Sequence, residues 1–168
     1  MVHIYTGTGK GKTTAALGLI ARSLGRDKWV CLIQFMKKNC EYGEIQFFSK
    51  EKNLDIFQFG TDKLIEPNKP TQIDLGEADA AYQMAKQVLE SQKYDLVVID
   101  EINVAVSWGL LDLAQQLELM QLAKDTELVM TGRYATLAVI EKADLVTEMR
   151  EVKHYFSKGV KARKGIEF

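Results

Sequence analysis

An α/β fold, with a mostly parallel sheet of about six strands and helices on both faces, is predicted by three observations. Apolar runs alternate with helical patterns along the chain, the order that βαβ units produce. Several runs are almost purely hydrophobic, as "LVVID" at 96–100 is, which suits strands covered on both faces rather than on one. The first run passes directly into a glycine-rich stretch that opens a helix, "YTGTGKGKTTAALG" at 5–18.

In chain order the strands are predicted at 2–6, 29–36, 54–59, 94–100, 127–131 and 145–148. Helices fall between them at 13–24, 74–91, 111–123 and 136–143. The long second helix is carried by spacing: Leu75, Ala78, Tyr82, Ala85 and Leu89 recur at intervals of three and four, which lines one apolar face of a helix begun near Thr71 or Asp74. One stretch resists any period, "GTDKLIEPNKPTQI" at 60–73, which holds both prolines of the chain. A loop of that length in a compact domain is often a binding loop or lid.

The 168 residues, 46% hydrophobic and 27% charged, fit one globular domain over 1–168 with room for a sizeable core. No run of about 18 apolar residues is present to span a bilayer, and "MVHIYTG" begins a strand with no room for a signal peptide. A cytoplasmic protein with no membrane partner is therefore expected. Cys31 lies inside the apolar stretch "WVCLIQF" and has no CxxC relation to Cys40, so a buried reduced thiol is expected rather than a disulfide or a metal ligand.

The net charge of −1 conceals a segregation. Residues 1–40 hold seven Lys/Arg against one acid and residues 150–168 six against two, whereas residues 41–149 hold nine against twenty. Two basic ends around an acidic middle either fold together into a positive pocket for a polyanion or remain solvated. Nucleic acid is not demanded, since no aromatic-laced basic patch and no excess positive charge is present.

The glycine-rich stretch carries the chemistry. The P-loop pattern G-x-x-x-x-G-K-[ST] places its last three residues on Gly11, Lys12 and Thr13, with Thr6 where its first glycine would stand. The context of strand, loop and helix is the one the mechanism needs. Backbone N–H groups of Gly7, Thr8, Gly9, Lys10 and Gly11, and of the helix start at Lys12, Thr13 and Thr14, would surround phosphates; Lys12 adds charge and the Thr13 hydroxyl ligates Mg²⁺. An acid at the end of a neighbouring strand should complete the magnesium shell, and "LVVIDE" supplies Asp100 and Glu101. Arg133 in "VMTGRYA" follows another strand, at the edge where ligands of open α/β sheets bind, and would complete a phosphate clamp. The guanine-reading pattern NKxD fails, because "NK" is followed by Pro70 and Thr71.

"TGTGKGKTTAALG", "VVIDEINVAVSWGLL", "VMTGR" and the closing "ADLVTEMREVKHYFSKGVKARKGIEF" together resemble the ATP:corrinoid adenosyltransferases, in the same order from Ile4 to Phe168. The resemblance implies a RecA-like P-loop homodimer that moves the 5′-deoxyadenosyl group of ATP to the Co(I) of a reduced corrinoid and releases triphosphate. It implies that Lys12, Arg133 and Mg²⁺ held near Thr13, Asp100 and Glu101 neutralise the leaving group, with no general base needed. His3 is then structural and His154 belongs to the family-like "VKH"; neither stands in the D-x-H-x-x-G pattern of cobalt-ligating carrier domains. A separate electron donor is implied, since no flavin or iron–sulfur motif is visible.

One departure stands out. Some members of the family carry a Phe-x-Trp pair after the third strand, where bulky rings crowd the lower face of the corrinoid. Here Phe57 and Phe59 precede Gly60 and only Leu64 and Ile65 follow it, an aliphatic pair that either fills the same volume or packs the lid. Two other readings stay open at this point: an ATPase or kinase-like enzyme acting at the γ-phosphate with Glu101 positioning water, and a nucleotide-binding regulatory module. Neither needs "KGVKARKGIEF".

Overall fold

In the computed structural model, which describes residues 1–38, 42–61, 65–67 and 69–168, six parallel strands form one sheet. In chain order they are β1 (Val2–Thr6), β2 (Val30–Gln34), β3 (Leu54–Gln58), β4 (Leu96–Asp100), β5 (Glu127–Thr131) and β6 (Leu145–Glu148). Across the sheet the order is β3-β2-β4-β5-β1-β6. The helices are α1 (Lys12–Leu24), α2 (Gly43–Phe48), α3 (Gln72–Glu90), α4 (Ile102–Ser107), α5 (Leu113–Leu122) and α6 (Leu137–Lys142), and a 3-10 turn follows at Tyr155–Lys158.

Period-two alternation sorts the hydrophobic strands between two cores. Cys31 and Ile33 of β2, with Val97 and Ile99 of β4, face Ala81, Ala85 and Leu89 of α3 and Leu119 of α5. Val30, Leu32, Leu96 and Val98 face the other way, onto Ala16 and Ile20 of α1 and Phe48 of α2. Burial on both sides is the reason these runs show no polar alternation. The expected α3 face is confirmed, with Ala78, Tyr82, Ala85 and Leu89 all buried. The helix starts at a capping box in which the Thr71 hydroxyl accepts from the Asp74 N–H and the Asp74 carboxylate accepts from the Thr71 N–H, satisfying donors that a helix start leaves free.

Cys31 is the buried thiol expected, its pKa pushed up to about 12, chiefly by desolvation; Cys40 lies outside the described residues. His3 sits on β1 with its Nε2 2.5 Å from Glu127, a structural placement.

The expected relation of β1 and β4 needs correction. They are not neighbours: β5 lies between them, so the loop after β1 and the acid at the end of β4 face each other across the end of a third strand. The crossovers of parallel sheets allow this, because strands close in space need not be consecutive in sequence.

Candidate functional site

The C-terminal ends of β1, β4 and β5 open onto one cavity of about 640 Å³, a size that suits a small-molecule substrate. The turn after β1 is made possible by glycine. Gly7 has φ +95° and Gly11, which caps α1, has φ +118°, a region an L side chain rarely adopts. Gly9 needs its missing side chain for another reason: a Cβ there would stand 2.8 Å from the Met149 carbonyl oxygen, to which the Gly9 N–H donates at 2.6 Å. The loop is therefore laid against the chain leaving β6, with the N-terminus of the 13-residue α1 opening into the cavity.

Gly9, Lys10, Gly11, Lys12, Thr13 and Thr14 all line this cavity, as do Glu101 and Arg133, whereas Gly7 and Thr8 do not. The Lys12 ammonium donates to the carbonyls of Gly7 at 2.8 Å and Gly9 at 2.7 Å. Desolvation holds its pKa below the ordinary lysine value, an effect that Arg133 adds to and Glu101 and Asp100 oppose.

Asp100 is fully buried at the end of β4, and four donors converge on it. Its Oδ1 accepts from the Thr13 hydroxyl at 3.0 Å and the Thr131 hydroxyl at 2.5 Å; its Oδ2 accepts from Gln34 at 3.1 Å and from the Lys37 ammonium at 2.6 Å. Burial alone would raise the pKa of this carboxyl, but the charge of Lys37 with the bonds from Lys37, Thr131 and Thr13 holds it below the ordinary value. Four such bonds fill the lone-pair capacity of a carboxylate. Asp100 thus orients Thr13, and the carboxylate that faces the cavity is that of Glu101.

Glu101 reaches that position through a left-handed backbone, φ +64°, with its N–H donating to Thr131 Oγ1 at 3.0 Å. Desolvation, and then the neighbouring Asp100, raise its pKa. Folding therefore disfavours its ionised form, and the stability it contributes when protonated is lost as pH rises from the ordinary glutamate value through the raised one. Glu101→Gln is expected to stabilise the nucleotide-free protein by on the order of 1 kcal/mol at neutral pH. Thermal denaturation across pH checks this, since the gap to wild type should close as pH falls and Glu101 takes up its proton.

Arg133 is exposed at the cavity rim after Gly132, where φ is +129° and a Cβ would meet Asn103 at 3.0 Å. Asn103 fixes this turn by donating to the Gly132 carbonyl at 3.1 Å, and Gln116 donates in turn to Asn103 at 2.7 Å.

Several wall residues carry no sequence signal of their own. Lys37 is one: nothing in "FMKKN" marks it, and only the pairing of β2 with β4 brings it to Asp100. Tyr42, Trp108, Tyr134 and His154 also line the cavity, each from a different loop or short element. Ile65 lines it as well, while Leu64 lies outside the described residues. Phe57 and Phe59 pack against the core cluster instead.

Lys10 is spent differently from the other loop residues. Its ammonium donates to Tyr155 Oη at 2.8 Å, the Ile166 carbonyl at 3.0 Å and Glu167 Oε1 at 2.7 Å. The basic C-terminal end thus folds back onto the basic N-terminal end, as one of the two charge readings required, but with Glu167 between them.

The donors that face the cavity near Thr13 and Glu101 are oxygen atoms, a hydroxyl and a carboxylate, which suits a hard cation such as Mg²⁺. Among the described residues no group of three or more His, Cys, Asp or Glu side chains forms a metal cluster. Among the described residues, the charged side chains that line the cavity are Lys10, Lys12, Lys37 and Arg133 and the carboxylates Glu101 and Glu167, with Asp100 buried behind Lys37.

Comparison with known proteins agrees with this geometry. A family model described as "ATP:corrinoid adenosyltransferase BtuR/CobO/CobP" matches residues 1–168. A corrinoid adenosyltransferase of Pseudomonas aeruginosa is 38% identical over 166 residues, covering 98% of this chain and 82% of that one. One from Sinorhizobium is 34% identical over 172 residues, with 100% and 80% covered, and the corrinoid adenosyltransferase CobA of Salmonella typhimurium is 32% identical over 169 residues, with 100% and 85% covered. With a glycine-rich loop after β1, an acid pair at the end of β4 and this likeness along its whole length, the chain belongs to the ATP:corrinoid adenosyltransferase family.

Proposed function

We propose that the cavity at the end of β1 is where the 5′-deoxyadenosyl group of ATP is transferred to the cobalt of a reduced corrinoid, with the whole chain, 1–168, acting as one nucleotide-binding domain. The observation that carries this reading is the convergence on one cavity of the glycine loop, Lys12, Thr13, Glu101 and Arg133 opposite a wall that includes Trp108, Val104 and Ile65. A polar, cationic side suits a triphosphate; an apolar and aromatic side suits the flat organic ring that must approach it.

In the reaction the Co(I) electron pair of the corrinoid substrate forms a bond to C5′ of the ribose. The bond from C5′ to its bridging oxygen breaks, and triphosphate leaves with that electron pair. No proton need move, so the chain's part is positioning and charge. The N–H groups of Gly11, Lys12, Thr13 and Thr14, with the positive end of α1, hold the triphosphate, whereas the Gly9 N–H, expected to join them, is bonded to the Met149 carbonyl instead. Lys12 exchanges its two carbonyl acceptors for phosphate oxygens, and Arg133 closes from the rim. These contacts accelerate the step to the extent that they strengthen as charge grows on the departing oxygen.

Thr13 and Glu101 would hold Mg²⁺, with Asp100 fixing Thr13; the ion would supply neutralisation of the triphosphate. The place of Glu101 and Thr13 together on the cavity wall supports this placement. A homodimer, a separate electron donor and a cytoplasmic site of action, with no nucleic acid and no membrane as partner, belong to the same proposal. No described helix is long and apolar enough to cross a membrane.

The bond that breaks is the test. Anaerobic incubation with ATP, Mg²⁺ and chemically reduced corrinoid should form intact triphosphate in step with a cobalt–carbon bond, and hardly any ADP or orthophosphate without corrinoid. Chromatography of the phosphate products decides it. ADP accumulating at one rate with and without reduced corrinoid would overturn the proposal in favour of chemistry at the γ-phosphate.

A further inference from the structure

Residues 155–168 form a strap that crosses the mouth of the nucleotide cavity, and its attachment is unusual. Ile166 and Glu167 line both the main cavity and a second one of about 580 Å³ beside it, so the strap is a shared wall of the two. Its side chains give it little apolar anchorage: Phe156 is 77% and Ile166 58% exposed, and Phe168 meets Tyr42 edge-on with ring centres 6.5 Å apart.

What holds the strap to the phosphate-binding loop is a polar knot on one carboxylate. Glu167 accepts from Lys10 at 2.7 Å, from the Arg163 N–H at 2.8 Å, from the Arg163 guanidinium at 3.3 Å through each of two nitrogens, and from the Tyr155 hydroxyl. Lys10 and Arg163 also lie over the Tyr155 ring, 5.6 and 5.0 Å from its centre. All three protons of the Lys10 ammonium have acceptors in the strap, which leaves none for a phosphate. Lys10 stands between Gly9, whose N–H is bonded to the Met149 carbonyl, and Gly11, which caps α1, so the position of its side chain governs the path of the loop.

We propose that Glu167 is a positioning residue: by capturing Lys10 it latches the C-terminal strap onto the phosphate-binding loop, and so sets the affinity for ATP rather than the rate of transfer. This rests on the loop being the triphosphate site. The latch fixes both the loop backbone, through Lys10, and the wall that Ile166 and Glu167 present to the nucleotide. Without it the loop must be ordered by the nucleotide itself, at a cost to binding. Hydrogen bonds from Arg163, Lys10 and Tyr155 hold the Glu167 carboxyl well below the usual range, so the latch stays ionised at neutral pH.

The experiment measures ATP binding by calorimetry and steady-state kinetics for wild type, Glu167→Gln, Lys10→Met and the double variant, with trypsin cleavage at Lys161, Arg163 and Lys164 followed in parallel. Glu167→Gln is expected to weaken ATP binding and raise KM for ATP about tenfold while kcat stays within about twofold. Its strap should be cut faster than the wild type's, and the double variant should be no worse than the poorer single one, because both remove the same contact. Glu167→Asp, which keeps the charge on a shorter stem, should recover part of the affinity; if the Gln variant does not fold, the Asp variant decides by the same two readouts. Unchanged ATP affinity in a folded variant, or penalties that multiply in the double variant, overturns the latch and leaves the loop's assignment intact. Wild-type protein that binds no ATP overturns both.

Discussion

Lys12→Ala is expected to lower kcat/KM for ATP by about 30- to 1000-fold, equivalent to roughly 2–4 kcal/mol of transition-state stabilisation, while the protein keeps its circular dichroism spectrum. The size of the effect follows from where the charge develops. The triphosphate gains its extra negative charge on the bridging oxygen as the bond to C5′ breaks, and a cation placed in the loop attracts the leaving group more strongly then than in bound ATP. The preserved fold follows from how the side chain is held. Lys12 is buried rather than projecting freely, and it is held by two carbonyls of its own loop. Desolvation lowers its pKa, so folding disfavours its charged form and removing the ammonium costs the nucleotide-free protein little. Near-native turnover in a variant with an unchanged spectrum would show that the loop does not clamp the triphosphate. A variant that loses kcat and keeps ATP affinity would agree with a contact made chiefly as the bond breaks.

The parts of this site that depend on local pattern were legible in the sequence, and those that depend on strand order were not. Lys12 and Thr13 announce themselves because a glycine loop between a strand and a helix has few other uses, and Asp100 and Glu101 because they end an unbroken hydrophobic strand. Helix α3 could be read from five apolar positions and its cap. The helices α2 and α4 went unpredicted; like α6, which was predicted at 136–143, each has only six residues, a length in which a period of 3.6 barely repeats. The insertion of β5 between β1 and β4 is invisible locally, yet it brings Thr131 onto Asp100. Lys37 and Glu167 share this difficulty: each acts on a residue far along the chain, 63 positions away for Asp100 and 157 for Lys10. The basic tail therefore read as a charge imbalance, although the residue in it on which Lys10, Tyr155 and Arg163 converge is an acid.

Asp100→Asn is expected to destabilise the nucleotide-free protein by about 3 kcal/mol or more, because it leaves the Lys37 ammonium without its counter-charge in a buried setting. The lysine side chain is 19% exposed and the aspartate side chain 1%, so water can do little to replace the lost partner. An asparagine can still accept from Lys37 and Gln34 through its amide oxygen, and the hydroxyls of Thr13 and Thr131 can rotate to accept from its nitrogen. Bond counts therefore survive, and the charge is what the variant removes. Lys37→Met should also destabilise, by stranding the carboxylate. The double variant should be more stable than Asp100→Asn alone, since no unpaired charge remains. Urea denaturation of the three variants measures this; penalties that simply add would mean that the two residues support the fold separately. The pH dependence gives an independent check of sign. Folding lowers the pKa of Asp100, so its contribution is fully present above the ordinary aspartate value of 3.8 and is lost as pH falls below it, opposite to the trend at Glu101. Adjacent carboxylates that titrate in opposite directions are what a site would need if one must stay ionised inside the fold to aim Thr13, while the other waits at the cavity wall for a cation to relieve it.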